Sequence, residues 1–229
     1  MAEETQNALN WKPVSRPGPV TLRGRSVTLE PLDATRHTTA LWQILQEQDD
    51  LWTWLSDGPF RNEDELRHAI AGKQANATAT YLAILPAATE MAGGWACLMR
   101  AEPAHGVIEV GNIVLAPALQ KTTAATEAMY LMARHVFDQL GYRRYEWKCN
   151  AANLASRHAA ERLGFTFEGI FRQHMIVKGR NRDTAWYAML DRDWPSRKRA
   201  FEAWLAPANF DSHGKQRETL EHFQDFIKS

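Results

Sequence analysis

Four polar residues, Gln120-Lys121-Thr122-Thr123, lie between an apolar stretch and an amphipathic segment. The apolar stretch, residues 107–115, is predicted to be a strand. In residues 125–140 apolar side chains recur every three or four positions, which is the period of a helix. A short loop between strand and helix offers free backbone N–H groups and the positive end of a helix dipole, and Lys121 adds a cation. The sequence therefore predicts a phosphate or pyrophosphate site; in the alternative, a loop threonine only caps the helix.

Glu109 is the one charged residue within the stretch 107–115. Partial burial in such a strand would raise the pKa of its carboxyl towards the range useful for a general base. Glu109 is therefore our first candidate for that role, ahead of Glu146 and Glu168. In the alternative, its carboxylate only forms an ion pair with a lysine or arginine of a neighbouring strand.

Tryptophan is frequent in this chain, which contains nine. Trp52 and Trp54 lie in a connector beside two leucines, and Trp95 lies in a predicted strand. Large aromatic side chains in such positions either fill the core or form the wall of a binding cleft, and the sequence leaves both interpretations open.

The composition of the 229 residues is that of a globular protein, with 45% hydrophobic residues and a formal net charge of zero. Zero net charge gives no reason to expect binding to nucleic acid or to an anionic membrane. The two cysteines, Cys97 and Cys149, lack metal-site spacing, so we expect no metal and a reducing compartment, the cytoplasm. The polar N-terminus and the lack of a long apolar stretch lead us to expect neither a signal peptide nor a membrane span.

The predicted elements follow an order typical of the α+β class. Strands are predicted at 27–32, 80–85, 92–99, 106–115, 145–150, 165–170, 175–178 and 184–190, with a turn at Gly179-Arg180-Asn181-Arg182. Helices are predicted at about 35–48, 62–73, 123–140, 153–163, 195–205 and 216–227. Antiparallel hairpins within this order favour one mixed, mostly antiparallel central sheet of about seven strands, flanked by helices.

The chain divides into three parts. Residues 1–26 are polar and carry three prolines, which favours an extended arm. Residues 27–193 are expected to form a single domain, and residues 194–229 a C-terminal helical extension.

Three segments of this chain resemble the GNAT superfamily of acyl-CoA N-acyltransferases. They are, in order, Leu115-Ala116-Pro117 through Gln120-Lys121-Thr122-Thr123 to Ala128; Asn153-Leu154-Ala155-Ser156-Arg157 before Leu163-Gly164-Phe165; and Phe167-Glu168-Gly169 with Lys178-Gly179-Arg180. The resemblance covers roughly residues 27–190. It is strongest to the branch of ribosomal-protein N-terminal (alanine/serine) acetyltransferases and of acetyltransferases related to microcin immunity, which detoxify aminoacyl nucleotides.

One departure from the family pattern falls in the polar loop. Family members usually have glycines there, which let the backbone curl around a pyrophosphate. Here the two positions are Lys121 and Thr123. Their side chains add hydrogen-bond donors, but a larger side chain in that curl could also block the cofactor.

The resemblance implies acetyl-CoA as cosubstrate. Ile113, Val114 and Leu115 would run beside its pantetheine arm, where the strand bulges at Gly111-Asn112 and separates from the next strand. The full set of residues implied to bind it is Ile113, Val114, Leu115, Gln120, Lys121, Thr122, Thr123, Ala124, Ala125, Asn153, Ser156 and Arg157. Arg162 is a further candidate for the adenosine phosphates.

Catalytic and substrate roles follow from the same resemblance. Many family members use a tyrosine as general acid where this chain has Ala160, so Ser156 is the candidate acid and Glu109 the candidate base. In the alternative, Asn153 and Ser156 only cap a helix. Trp52, Trp54, Trp95 and Glu109 are expected to line the acceptor pocket.

We therefore expect an acetyl-CoA-dependent N-acetyltransferase that acts on a primary amine by direct attack in a ternary complex. The acceptor would be a small molecule, an aminoacyl compound or a protein N-terminus, and the enzyme a monomer or homodimer. The alternative from another class is a GNAT-fold module that binds CoA or another ligand without catalysis. A dinucleotide-binding domain is disfavoured, because the chain has no Gly-x-Gly-x-x-Gly motif.

Overall fold

The computed structural model describes residues 9–226, which form one eight-stranded sheet. The strand order is β1-β2-β3-β4-β5-β6-β8-β7, and only β5 and β6 are parallel neighbours. The strands are β1 (Leu22–Arg23), β2 (Val27–Pro31), β3 (Thr80–Pro86), β4 (Gly94–Glu102), β5 (Val107–Leu115), β6 (Arg144–Asn150), β7 (Thr166–Val177) and β8 (Arg180–Leu190). The predicted mixed, mostly antiparallel α+β sheet is confirmed. The predicted strands at 165–170 and 175–178 form the single strand β7, and the eighth strand is the short β1, inside the predicted arm, which pairs with β2.

Helices begin where side chains can satisfy their first N–H groups. The helices are α1 (Ala34–Leu45), α2 (Glu63–Gln74), α3 (Thr123–Arg134), α4 (Leu154–Arg162), α5 (Trp194–Leu205) and α6 (Leu220–Phe226). The side chains of Asp33, Asn62, Thr122 and Asn153 accept hydrogen bonds from N–H groups of the first turns of α1 to α4. Such caps replace partners that a helix cannot provide for itself, and they define where these four helices start.

The sheet has a hydrophobic core on each face. Alternation along β3 places Leu82 against the cluster that contains α3, α4 and α5, and Ala83 against the cluster that contains α1 and α2. The second cluster also holds Trp52 and Trp95. Both sides of the sheet are therefore buried, and a cleft can open only where neighbouring strands separate.

Such a separation occurs between β5 and β6. The two strands pair only from Val107 with Arg144 to Val110 with Trp147, although β5 continues to Leu115 and β6 to Asn150. On its other edge β5 bulges, because Asn112 and Ile113 together lie opposite a single residue of β4. The bulge is therefore at Asn112-Ile113, one residue beyond the predicted Gly111-Asn112, and it directs the end of β5 away from β6.

The hairpin of β7 and β8 differs from its prediction. Val177 pairs with Arg180, so the turn consists of Lys178 and Gly179 alone, with φ of 49° and 72°. Positive φ at both central residues is the geometry of a tight type I′ hairpin turn. The predicted turn at Gly179-Arg180-Asn181-Arg182 is therefore wrong: Arg180, Asn181 and Arg182 belong to β8.

Both ends of the described chain pack on this sheet. Val14 N–H donates to Pro103 C=O, and the Tyr142 hydroxyl donates to Ser15 C=O, so the N-terminal segment follows the domain surface. At the other end α5 packs on α3 through Tyr130 and Trp194, whose ring centroids are 6.1 Å apart. Residues 1–8 of the predicted arm and 227–229 of the predicted C-terminal extension lie outside the described residues.

Neither a membrane-spanning helix nor a cluster of metal-binding side chains is present within residues 9–226. No helix in this range is long and apolar enough to cross a membrane. No group of three or more His, Cys, Asp or Glu side chains in the same range could hold a metal ion.

Candidate active site

The gap between β5 and β6 opens into two connected cavities. One, of about 640 Å³, lies between the start of α3, α4 and the C-terminal segment; we call it the α3 cavity. The other, of about 560 Å³, lies between the residue 50–56 segment, the ends of β4 to β6 and the β7–β8 hairpin; we call it the hairpin cavity. Residues that line both are Ile113, Leu115, Lys121, Trp147, Ala155 and Ala159. The strand separation is therefore a passage with one cavity at each end.

Trp147 and Ser156 lie where the two cavities meet. The indole Nε1–H of Trp147 donates to Ser156 Oγ over 3.0 Å. An indole can only donate, so the hydroxyl oxygen accepts this bond, and the Ser156 side chain also hydrogen-bonds the Cys149 thiol. Ser156 also lines the hairpin cavity, which makes it a hydroxyl donor of fixed position beside the passage.

The start of α3 presents unpaired backbone donors. Thr122 Oγ1 accepts from Ala125 N–H over 3.2 Å, and Thr122 C=O accepts from Thr126 N–H. Within residues 9–226 the N–H groups of Thr123 and Ala124 have no acceptor. These donors, at the positive end of the helix dipole, are what an anion binds.

Lys121 occupies the backbone conformation for which the family uses glycine. Its φ is 59°, in the left-handed region, which costs a residue with a Cβ roughly 1–2 kcal/mol. The loop thus keeps its curl without glycine, and the Lys121 side chain lines both cavities.

The far wall of the α3 cavity comes from α4 and the C-terminal segment. Arg162 donates to Thr126 Oγ1 and lies 5.3 Å over the ring of Trp204. Lys215 lines the same wall. Glu221 lies on the same wall, with its Oε1 3.9 Å from Arg162 Nε, so cations on two sides of the α3 cavity outnumber its one carboxylate.

A row of buried ions crosses the floor of the hairpin cavity. Lys148 Nζ lies 2.9 Å from Glu109 Oε2 and 2.7 Å from Glu146 Oε2, and each of the three side chains is less than 10% exposed. Arg100 Nε lies 3.5 Å from the same Glu109 oxygen. Glu109 is thus a buried carboxylate with two cationic neighbours.

The environment of Glu109 acts on its pKa in both directions. Burial raises the pKa of this carboxyl, and the opposing effect of Lys148 and Arg100 does not cancel it. Glu109 is therefore ion-paired, as in the alternative interpretation, and its pKa is raised as expected for a base; the catalytic role itself stays a prediction.

Two segments cover the hairpin cavity, residues 50–57 and the β7–β8 hairpin, and hydrogen bonds link them. Lys178 Nζ, at the hairpin tip, donates to Trp52 C=O over 2.8 Å and to Asp57 C=O over 3.1 Å. Trp54, 38% exposed, lines the cavity from the side of residues 50–56. Met175 and Val177 line it from β7. The cavity therefore joins a charged floor to apolar upper walls.

Most of the predicted site residues lie at this passage. Those that line one or both cavities are Glu109, Ile113, Val114, Leu115, Gln120, Lys121, Thr123, Ala125, Asn153, Ser156 and Trp54. Thr122 and Ala124 do not line a cavity; Thr122 acts as the cap of α3, which was the alternative interpretation. Asn153 likewise caps α4, through Ser156 N–H.

Two of the predicted acceptor-pocket residues need a correction. Trp52 is 2% exposed and Trp95 is fully buried, because both belong to the core on the α1–α2 face of the sheet. Trp95 acts on the passage indirectly: its Nε1–H donates to Asn112 Oδ1 over 3.0 Å and so holds the bulge. Trp54 alone of the three tryptophans lines the hairpin cavity.

Arg157 also lies elsewhere than predicted. Its Nε–H donates to the Tyr187 hydroxyl, and its guanidinium lies 5.5 Å over the ring of Phe167, so it packs on β7 and β8. Helix residues turn by about 100° each, so Arg157 and Arg162 point about 140° apart. Only Arg162 can face the α3 cavity, which it lines.

The alternative bases are also placed elsewhere. Glu146 bridges Lys148 and Arg144, and Glu168 forms two hydrogen bonds with the same Arg144 guanidinium. Neither lines a cavity, so of the three predicted carboxylates Glu109 is the one at the passage.

Four cations of the site, Arg100, Lys148, Arg182 and Lys215, are not among the residues predicted from the sequence. Polar and apolar residues alternate along β6, so Lys148 gives no signal that distinguishes it from a solvent-facing residue. Arg182 falls within the turn predicted at residues 179–182, which is wrong, so it was not expected to lie in a strand. Lys215 lies in the C-terminal segment, where no local pattern marks it as part of a cavity.

Residues 26–166 match the family model described as acetyltransferase (GNAT) domain, which is more than half of the chain. The chain belongs to the GNAT acetyltransferase family. A GCN5-related N-acetyltransferase from Brucella melitensis is 46% identical over 94% of this chain and 99% of its own, with a TM-score of 0.92. A GNAT-family protein from Chromobacterium violaceum, described as a probable acetyltransferase, is 39% identical over 85% and 98% of the two chains, with a TM-score of 0.79.

The resemblance to the ribosomal-protein branch is more distant. An acetyltransferase from Salmonella typhimurium that modifies the N-terminal serine of a 50S ribosomal subunit protein is 22% identical over 73% and 96% of the two chains, with a TM-score of 0.63. At this identity the likeness shows the fold alone. No curated protein matches the chain. Family membership therefore establishes acetyl transfer with acetyl-CoA as the typical cosubstrate, and leaves the acceptor open.

Proposed function

We propose that this protein transfers the acetyl group of acetyl-CoA to a primary amine by direct attack. The observation that carries the proposal is the passage between β5 and β6, which joins a cavity with free helix N–H groups to a second cavity with a buried carboxylate. Acetyl donor and amine would meet at Trp147 from opposite ends. Such a ternary arrangement needs no covalent intermediate on the protein.

The α3 cavity fits acetyl-CoA, which supplies the thioester. The free N–H groups of Thr123 and Ala124 would bind the pyrophosphate, with the Lys121 side chain beside them. Arg162 and Lys215 would face the remaining phosphate. The left-handed φ of Lys121 supports this fit, because the loop keeps its curl although the residue is not glycine.

Backbone N–H groups of β5 would polarise the thioester carbonyl. From Gly111 to Leu115 the edge of β5 that faces β6 has no strand partner in the described chain. Preorganised donors of this kind stabilise the negative charge that develops on the oxygen during attack. The Trp95 hydrogen bond to Asn112 supports their position.

Glu109 would accept the proton of the attacking amine, directly or through a water. An amine must be neutral to attack, and a carboxylate whose pKa is raised by burial is a better base near neutral pH than an ordinary one. Ser156 would donate its hydroxyl proton, which it shares with the Cys149 thiol in the resting structure, to the leaving sulfur. No tyrosine among the described residues lines either cavity, and Ser156 is the hydroxyl held beside the Trp147 indole where the two cavities meet.

The first experiment compares Glu109→Gln with wild type. We expect turnover, followed by thiol release with a panel of primary amines, to fall by roughly 10²–10⁴-fold. Affinity for acetyl-CoA, measured by calorimetry, should stay within about twofold of wild type, because the carboxylate lies in the other cavity. In wild type the rate should rise with pH through a limb above the ordinary carboxyl range, and this limb should be absent from the variant.

Glu102→Gln is the matched control, since this carboxylate is exposed on β4 and lines neither cavity. It should turn over like wild type. Equal pH–rate profiles for wild type and Glu109→Gln would remove Glu109 as the base. Absence of thiol release with every amine, at saturating acetyl-CoA, would contradict the proposed function itself.

A further inference from the structure

Arg182 of β8 has unused hydrogen-bond donors at the hairpin cavity. Its side chain is partly buried and lines the cavity. Its Nε–H donates to Thr184 Oγ1 over 3.2 Å. Among residues 9–226 its two terminal nitrogens have no acceptor, and no carboxylate lies within ion-pair distance of it. A guanidinium in this state can bind a planar or tetrahedral anion with two parallel hydrogen bonds.

Neighbouring residues of β7 and β8 hold the Arg182 guanidinium in position. Thr184 is fully buried, and its hydroxyl also lies 3.0 Å from His174 Nδ1. The His174 ring in turn packs against Trp186, with ring centroids 5.9 Å apart. Little side-chain entropy would therefore be lost when an anion binds to Arg182.

The charges around the cavity leave Arg182 as an excess cation. Glu109 is already shared by Lys148 and Arg100. Burial lowers the pKa of Arg182; Glu109, although already shared, acts against this change, and Arg100, which also lines the cavity, acts with it. The other acidic residue of the lining, Asp50, is exposed and lies on the opposite, 50–56 side. The wall formed by β4 and β8 is therefore cationic.

We propose that the acceptor is an amine that also carries a carboxylate or phosphate group, and that Arg182 binds this anionic group. This inference rests on the proposed function and narrows its substrate class. The amine would lie at Glu109, the anionic group at Arg182, and an apolar body against Trp54, Met175 and Val177. Polyamines and neutral amines, which offer Arg182 no acceptor anion, would be poor substrates.

Matched amines test the inference by turnover. Phenylalanine is compared with phenylalaninamide, and O-phosphoethanolamine with ethanolamine, so that each pair differs in one anionic group. Wild type should favour the anionic member of at least one pair, and Arg182→Met should reduce that preference in kcat/KM by about tenfold or more. The ratio between enzyme variants cancels the intrinsic reactivity of the amines. The preferred pair distinguishes a carboxylate from a phosphate.

Two further variants separate the effect of the positive charge of Arg182 from the effect of its two parallel hydrogen-bond donors. Arg182→Lys keeps the charge and should restore only part of the preference, because lysine lacks the two-pronged donor. Arg199→Met removes an exposed arginine of α5 that lines neither cavity and should leave the preference unchanged. A wild-type enzyme that acetylates neutral and anionic members equally well would overturn the inference while leaving N-acetylation intact.

A binding measurement decides the inference without turnover. Inorganic phosphate is titrated at constant ionic strength in the presence of saturating CoA, and thermal stabilisation is recorded. Wild type and Arg199→Met should be stabilised more than Arg182→Met, because only the first two keep the anion site. Equal stabilisation of wild type and the two variants by phosphate would overturn the inference. If no amine is acetylated, the proposed function fails, and this titration alone decides whether Arg182 binds an anion.

Discussion

The α3 cavity and the hairpin cavity share a passage but are built from different groups. The α3 cavity offers free backbone N–H groups at the start of a helix, and the loop and helix that hold them are adjacent in the chain, although its far wall comes from α4 and the C-terminal segment. The hairpin cavity uses charged side chains from β4, β5, β6 and β8, which are distant in the chain. One site is made by local backbone geometry and the other by the register of strands.

This difference predicts how each cavity responds to mutation. A backbone site depends on conformation, so the loop tolerates Lys121 in place of glycine as long as its φ remains left-handed. A site of buried ions depends on each partner, because removing one leaves the others without compensation. Mutations should therefore have large effects at the ion row and small effects at the start of α3.

The largest effect is expected for Lys148→Met. The change leaves Glu109 and Glu146 buried without their shared cation, which we expect to cost about 3–5 kcal/mol in free energy of unfolding. Because Lys148 lowers the pKa of Glu109, its loss should also move the rising limb of the pH–rate profile to higher pH. Urea unfolding and pH–rate profiles measure the two effects, and the Kd for CoA should change little.

Lys198→Met provides the matched control. Lys198 also forms a 2.7 Å ion pair, with Asp138, but that pair is about one-third exposed. Its removal should cost less than about 1 kcal/mol. Similar losses in the two variants would show that burial of the ion row has no energetic consequence, and the contrast between the cavities would fail.

The elements of the α3 side were predictable because their signals are local. Residue types at Asn62, Thr122 and Asn153 indicate helix starts, and the helical period of residues 125–140 predicts α3. The bulge near Gly111-Asn112 and the strand separation followed from the family resemblance. Each of these features lies within a short stretch of sequence.

The hairpin cavity was not predictable in the same way. Lys178-Gly179 lacks the Asn-Gly or Asp-Gly pair that marks a type I′ turn, so the turn was placed too late and Arg182 was lost from β8. The ion row depends on the pairing of Glu109 with Glu146 across the parallel β5–β6 ladder. No local pattern specifies that register, since a helix and two connections separate the strands.

A smaller effect is expected for Thr122→Ala, which removes the cap of α3. The change leaves Ala125 N–H without its side-chain acceptor and should lower the free energy of unfolding by about 1 kcal/mol. Thr122→Ser keeps the hydroxyl and should stay within about 0.5 kcal/mol of wild type. CoA affinity should change little in both variants, because Thr122 does not line the cavity. A strong loss of CoA affinity in Thr122→Ala alone would assign this side chain to the ligand instead.

The smallest effect is expected at Lys121, where two substitutions separate charge from backbone. Lys121→Ala and Lys121→Gly both remove the cation. Each should weaken the binding of CoA by up to about 1 kcal/mol, roughly fivefold. The binding of pantetheine should not change, because pantetheine lacks the phosphates. Glycine also removes the strain of roughly 1–2 kcal/mol that a residue with a Cβ has in the left-handed region. The greater backbone entropy that glycine loses on folding offsets part of this gain. Lys121→Gly should therefore be the more stable of the two in urea unfolding, while Lys12→Ala, at an exposed position outside both cavities, should leave both measurements unchanged. If Lys121→Gly binds CoA as tightly as wild type, the Lys121 cation contributes nothing to binding, and the phosphates are held by the backbone N–H groups and the cations of the far wall.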